Sequence, residues 1–273
     1  MGDILLDHVS FTYKNGYEAV SDVTLSIRQG ERVAILGQNG AGKTTTVKMM
    51  NNLQRPTKGT VMVGDKNTKD YTTAQISKEV GYVFQNPDDQ IFHATVQEEV
   101  EFGPRKALGL TEDEISGRCE RALELTGLAD EKDENPFELP LSIRKFVAIA
   151  AIIASDPAVY IFDEPTAGQD REGLLRLNRI IEELQADGKT VITITHDIEF
   201  AINTFHRIIV MAKKKVIQEG TPEEIFHNDE VLKKSMLKTP YVIRLARELG
   251  LGETVTTNEE FIEALIRSKQ DEL

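Results

Sequence analysis

The chain of 273 residues has no tryptophan and a single cysteine, Cys119. One thiol cannot build a disulfide framework or a cysteine zinc site, and it suits a reducing compartment. Cations are also short: 32 Lys and Arg stand against 45 Asp and Glu, a formal charge of −13. No basic run exceeds Lys213-Lys214-Lys215, so the stripe of a nucleic-acid binder is missing. The longest apolar run, residues 146–154, falls well short of the roughly 20 residues that cross a bilayer. The first residues, with Asp3 and Asp7, lack the charged-then-apolar form of a signal peptide. Any membrane role is therefore expected to come through a partner. The histidines at 8, 93, 206 and 227 lack metal-like spacing. No internal repeat or low-complexity segment is present. What remains is an ordinary globular composition, 40% hydrophobic and 28% charged, long enough for one large or two modest domains.

Against that background one stretch stands out, Gly37-Gln38-Asn39-Gly40-Ala41-Gly42-Lys43-Thr44-Thr45. It matches the phosphate-binding pattern G-x-x-x-x-G-K-[ST]. Residues 32–36 before it read as a buried strand. Residues 45–52 after it read as a helix with Val47, Met50 and Leu53 on one side. Glycines at 37, 40 and 42 let the backbone curl with its N–H groups inward, forming with the helix end an anion site for a phosphate chain. Lys43 is expected to reach the outer phosphates and the Thr44 hydroxyl to ligate Mg²⁺.

The rest of the chain alternates strand and helix, which predicts an α/β fold with a mostly parallel sheet. Residues 4–13 and 20–27 read as two strands, an antiparallel edge beside the phosphate-loop strand. Tyr13, at the end of the first, is either a half-buried strand aromatic or a ring that stacks on a nucleobase. Further strands are expected at 60–63 and 80–84. From about residue 95 to 155 the pattern is helical, with a capping box at Thr111 and Glu114. The apolar run Val159-Tyr160-Ile161-Phe162 reads as a central parallel strand ending in Asp163-Glu164. Residues 191–195 form the next strand, ending at His196-Asp197. Beyond Gly220, Tyr241, Leu245 and Leu249 stripe one helix, and Phe261, Ile262, Leu265 and Ile266 another. Two such helices cannot hold a core alone, so their apolar faces need the main body or a second subunit.

Ligands of open α/β sheets bind at the carboxyl ends of the strands. Asp163 there suits the metal that bridges outer phosphates, and Glu164 suits polarising the attacking water. His196, on the same sheet edge, is placed to donate to a transferring phosphoryl oxygen, or is structural. Gln85, at another strand end, suits orienting water or completing a metal shell, or is a surface amide.

The phosphate loop, Gln85, Asp163-Glu164, Ala167-Gly168-Gln169-Asp170 and His196 come in an order that resembles ATP-binding-cassette (ABC) ATPases. The resemblance covers residues 4 to about 226. The segment Gln85-Asn86-Pro87-Asp88-Asp89-Gln90-Ile91-Phe92 is similar to the ATPase subunits of energy-coupling-factor (ECF) importers of vitamins and metals, the cobalt-importer ATPase group. The resemblance implies a P-loop cassette at 1–226 with a helical subdomain at about 95–155, and a dimerising helical extension at 227–273. It implies ATP and Mg²⁺ as cofactors. Tyr13 would stack on adenine, while Gly37, Asn39, Gly40, Gly42, Lys43, Thr44 and Thr45 would hold phosphate. Thr44, Gln85 and Asp163 would serve the metal. Glu164 would act as base, Gln85 would position water and His196 would sense the γ-phosphate. Asp170 would lie in the loop that crosses the dimer. A transmembrane subunit would dock near Gln85 to Phe92, where Asp88 and Asp89 suit arginines on a coupling helix, and a membrane substrate-binding subunit would be reached indirectly. The chain would sit on the cytoplasmic face of the membrane.

One motif departs. Where the family has Leu-Ser-Gly-Gly-Gln, a gapless alignment gives Leu139-Pro140-Leu141-Ser142-Ile143. In the family this motif caps a helix and donates N–H and hydroxyl groups to the γ-phosphate held by the other subunit. Pro140 has neither group, and Leu141 adds bulk. The sequence thus points to a heterodimer with a second ABC ATPase whose signature is intact. Two other readings stay open: a soluble cassette ATPase outside transport, and a regulatory cassette that hydrolyses nothing.

Overall fold

A computed structural model describes residues 3–251 and 254–271. Ten strands form two sheets. β1 (Ile4–Thr12), β2 (Glu18–Ile27), β4 (Lys58–Val63) and β5 (Lys66–Asn67) make an antiparallel sheet in the order β2-β1-β4-β5. β3 (Arg32–Leu36), β6 (Val80–Val83), β7 (Val159–Asp163), β8 (Thr190–Ile194), β9 (Arg207–Ala212) and β10 (Lys215–Gly220) make the second, in the order β10-β9-β3-β8-β7-β6. Five of these six strands are parallel, and β10 is an antiparallel edge. The expected antiparallel pair at residues 4–27 exists, but β3 lies between β8 and β9, so that pair belongs to a separate sheet.

Alternation along the parallel strands assigns each face. Val33, Ile35, Val159 and Ile161 enter a core shared with the antiparallel sheet and with α1 (Lys43–Met50). Ala34, Leu36, Tyr160 and Phe162 point the other way, into a core shared with helices. A strand buried on both faces has to be apolar at every position, as β7 is until Asp163. Val47 and Met50 of α1 are buried as expected. Leu53 is 41% exposed, because α1 ends at Met50 and Asn52, at φ +62°, turns the chain away.

After α2 (Thr73–Ile76), the stretch between β6 and β7 carries α3 (Val96–Gly103), α4 (Glu112–Thr126) and α5 (Leu141–Ser155) and no strand. Thr111 caps α4 from its side chain while Glu114 bonds back to it, the capping box read from sequence. α6 (Arg171–Ala186) and α7 (Ile198–Thr204) complete the helical layer. α8 (Pro222–Phe226), α9 (Asp229–Ser235), α10 (Tyr241–Glu248) and α11 (Asn258–Asp271) follow. In α10 the buried residues are Ile243 and Ala246, not the expected stripe. Tyr241 and Leu249 are exposed there, as are Ile262 and Ile266 of α11. The body covers one side of α10, through Ile243 and Ala246, and among the described residues none of α11 is fully buried. Among the described residues no helix is long and apolar enough to cross a membrane.

Candidate functional site

The loop between β3 and α1 owes its shape to two close approaches. A Cβ on Gly37, at φ +148°, would lie 2.1 Å from the Met211 carbonyl oxygen. A Cβ on Gly42, at φ +100°, would lie 2.6 Å from the Ala19 carbonyl oxygen. Only glycine fits such backbone against backbone. Gly42 is also the N-cap of α1, so the first N–H groups of that helix open into the loop. Lys43 is buried, and its Nζ donates to the Gly37 carbonyl at 2.7 Å and the Gln38 carbonyl at 3.3 Å. Burial pushes its ammonium down, against the opposing pull of Glu164 and Asp163. The cation is thus pre-aimed, an arrangement suited to an anion of several charges.

Beside the loop lies a cleft of about 290 Å³. Asn39, Gly40, Gly42, Lys43, Thr44 and Thr45 form its floor; Tyr13 and Gln85 lie at its sides with Glu164 and His196. Most of the expected site residues therefore converge, although they are spread over some 180 positions. Gly37 and Asp163 stand just behind the lining, Gly37 through Lys43 and Asp163 through Thr44.

Asp163 ends β7 and is 3% exposed. The Thr44 hydroxyl donates to its Oδ1 at 3.3 Å, and the Tyr82 hydroxyl donates to its Oδ2 at 2.6 Å. This tyrosine was not singled out in the sequence. A tyrosine inside a strand buried on both faces needs a partner for its hydroxyl, and that was the available signal. Mg²⁺ prefers oxygen ligands at 2.0–2.1 Å in octahedral array, whose neighbouring oxygens stand about 3.0 Å apart. The Thr44 and Asp163 oxygens come close to that spacing in a polar pocket, so the donor set fits. Among the described residues no three His, Cys, Asp or Glu side chains cluster as a metal cage.

Glu164 is 6% exposed and adopts φ +52°, a left-handed conformation unusual for a glutamate. Its N–H donates to the Ile194 carbonyl at the end of β8. Burial raises its carboxyl from the ordinary range to about 7, Lys43 pulls it down, and Asp163 pushes it up. His196 follows the same strand end, and its backbone N–H donates to Glu164 Oε2 at 3.2 Å. Its Nε2 lies 2.9 Å from Glu164 Oε1. Burial, and after it Lys43, lower the proton affinity of the imidazole, while Asp163 opposes them. The sequence placed these two residues on one edge and did not foresee their bond.

Tyr13 is 40% exposed, edge-on to Phe11 and stacked at 6.3 Å with Tyr17. Its hydroxyl lies 3.3 Å from Thr45 Oγ1. Tyr17 also lines the cleft, with Lys214 Nζ 4.4 Å above its ring; neither residue was expected there. The two tyrosines give the cleft an aromatic wall.

Two acids expected on a free rim part company. Asp88 is bonded to Arg144 Nη1 of α5 at 2.6 Å, so it is already partnered within the chain, whereas Asp89 is exposed. Phe92 beside them is 60% exposed and packs on His93 and Phe102. Asp170 caps α6, accepting from the Gly173 N–H at 2.8 Å. At the departed motif, Pro140 occupies the N-cap of α5 with no side-chain cap, and Leu141 is 50% exposed.

The family model described as ABC transporter matches residues 20–167. The chain is 41% identical over 257 residues to an ABC transporter ATP-binding protein of Pyrococcus furiosus, covering 94% of this chain and 97% of that one. It is 38% identical to an energy-coupling factor transporter ATP-binding protein of Methanocaldococcus jannaschii, covering 90% and 88%. Two further relatives are about twice as long, and the chain spans 46% and 44% of them. Among solved structures it is similar to cbiO1 of Clostridium perfringens, part of the ABC transporter complex cbiONQ, with TM-score 0.76, 34% identity and coverage of 90% and 98%. A dimeric ATP-binding cassette in a post-hydrolysis state, bound to ADP and Pi, is similar at TM-score 0.74 and 30% identity, covering 80% and 98%.

Proposed function

The chain belongs to the ABC transporter ATP-binding family, and from that premise we propose that it is the ATP-hydrolysing subunit of an ECF-type importer for a vitamin or metal micronutrient, working as a heterodimer with a second ATPase. The observation that carries the catalytic part is the Glu164 carboxylate, buried at the cleft wall, bonded to His196 and facing Lys43. ATP would lie with its base on Tyr13 and its phosphates in the loop from Gly37 to Thr45. The loop N–H groups and Lys43 neutralise phosphate charge. Glu164 takes the proton of the attacking water, and its raised affinity for protons suits that role near neutral pH. His196 holds one oxygen of that carboxylate in place and stands next to the position of the γ-phosphate. Mg²⁺, held by Thr44 and Asp163 with Gln85 nearby, supplies charge neutralisation at the outer phosphates when bound.

The heterodimer rests on the contrast between this complete cleft and Pro140-Leu141-Ser142 at the head of α5. In a homodimer each site would face a signature without its donors, and losing one such donor costs about 10²–10³ in rate. The open sides of α10 and α11 suit the C-terminal contact between the two ATPases. Asp89 and Phe92 suit docking of the membrane subunit that would hold the chain at the cytoplasmic face. The test is Glu164→Gln in the assembled dimer. It should bind ATP normally and lower kcat by about 10²–10⁴-fold. A rate near wild type would refute the assignment of the base. Rapid turnover by this chain as a homodimer would refute the heterodimer.

A further inference from the structure

Lys145 is buried at 5% exposure on α5, yet it has no carboxylate partner among the described residues. A buried ammonium is costly unless its donors are used. Here Nζ donates to the Glu164 carbonyl at 2.9 Å and to the Ala167 carbonyl at 2.7 Å. Both acceptors belong to the turn that follows β7. The same turn is tied to α5 a second time, through Gln169 Nε2 and the Ser142 carbonyl at 3.0 Å.

These contacts bear on a strained residue. A non-glycine residue at φ +52° persists only where its surroundings over-determine it. Glu164 is anchored by its N–H to Ile194, by its carboxylate to His196 and by its carbonyl to Lys145. The first two anchors come from the β8 end; the carbonyl is held by Lys145 of α5 and, more loosely at 3.4 Å, by the Ala167 N–H of the turn itself. Without Lys145 the peptide following Glu164 keeps only the long Ala167 bond and can relax toward a commoner conformation, which would swing the side chain.

We propose that Lys145 is a positioning residue for ATP hydrolysis: it fixes the carbonyls of Glu164 and Ala167, and so holds the strained backbone from which the Glu164 carboxylate reaches the cleft. It also joins that backbone to the head of α5, which lies three to five residues away at Pro140-Leu141-Ser142. The proposal rests on Glu164 being the base. The matched variants are Lys145→Met, which keeps length and loses the donors, and Lys145→Arg, which keeps them. Each is assayed in the assembled ATPase dimer for kcat, KM and nucleotide Kd, beside Glu164→Gln.

Lys145→Met should lower kcat by about 10²-fold, the cost of a displaced catalytic group, with nucleotide Kd unchanged. Lys145→Arg should recover most of the rate. Wild-type kcat in Lys145→Met while Glu164→Gln is slow overturns this proposal and leaves the base intact. Fast turnover in Glu164→Gln overturns the base itself. A loss shared equally between kcat and nucleotide binding, with a lower melting temperature and no rescue by arginine, means that Lys145 serves packing only. If Lys145→Met does not fold, Lys145→Gln decides: a reduced kcat at unchanged Kd supports positioning, and a wild-type kcat overturns it.

Discussion

Replacing Tyr82 by phenylalanine removes one oxygen and nothing else. The ring still fills its place between the sheets, so no cavity opens. What is lost is the 2.6 Å hydrogen bond to Asp163 Oδ2, between a donor 5% exposed and an acceptor 3% exposed. Hydrogen bonds to charged groups contribute about 1.5–3 kcal/mol, and water cannot substitute at this depth. For a chain of this length 1 kcal/mol moves the melting temperature by about 2 °C, so Tyr82→Phe should melt about 3–6 °C lower. The second effect is on the metal. Tyr82 pins one carboxylate oxygen while the other faces Thr44, which fixes the plane of the group. Partners of this kind are worth about 10–100-fold in metal affinity. Thermal melts of the free protein and a Mn²⁺ titration followed by electron paramagnetic resonance, with excess ADP, report the two effects separately. An unchanged melt together with unchanged Mn²⁺ affinity would refute the argument. A lower melt with unchanged Mn²⁺ affinity would confine Tyr82 to stability.

Lys43→Ala should abolish ATP binding, measured with a fluorescent nucleotide, while the circular dichroism spectrum stays native. Unchanged affinity would remove the phosphate-loop assignment. Glu164 supplies a pH signature: its carboxyl is pushed up to about 7 when folded and returns to the ordinary range, near 4.5, when unfolded. The folded state then binds the proton more tightly, so this contribution to stability is full below pH 4.5 and lost as pH rises through 7. Over that window the loss is about 3 kcal/mol. Glu164→Gln should therefore gain stability relative to wild type between pH 5 and pH 8 in chemical denaturation, and parallel curves would contradict the shift.

The parts legible in the sequence were those written in consecutive residues. The phosphate loop, the apolar strand ending in Asp163-Glu164 and the capping box at Thr111 and Glu114 are local patterns, and each appears where it was read. Contacts between distant segments were not legible. Tyr82 meets Asp163 across 81 positions, and Arg144 takes Asp88 across 56. The Arg144 pair engages an acid that is still half exposed on the segment expected to meet a partner. The second sheet was missed for the same reason: pairing of β1 with β4 is fixed by register across a long loop, whereas the sequence shows only that both are strands. In α10 the sequence offers apolar residues on more than one side, and periodicity alone does not say which side the body covers. Lys145 did leave a trace, as the second of two adjacent cations, Arg144-Lys145, that abut the apolar run 146–154, where a buried lysine must find acceptors.

The geometry also bears on how, under the proposed function, the signature could depart in a chain that supplies the base. No residue from 139 to 143 lines the chain's own cleft; its walls come from the turn between β1 and β2, the start of β2, the phosphate loop and the residues just past β6, β7 and β8. Lys145 and Ser142 tie α5 to the turn that carries Glu164, the latter through Gln169, and the side chains of Pro140 and Leu141 make neither tie. Substitutions at 140 and 141 can remove donors offered to a second subunit without moving Glu164. In a homodimer the same substitutions would strike both composite sites at once. In a heterodimer they strike one and leave the other with a full set of groups, and selection can then retain a chain that supplies a working base and an impaired signature. The separation of the two surfaces on one helix is the physical condition for that asymmetry.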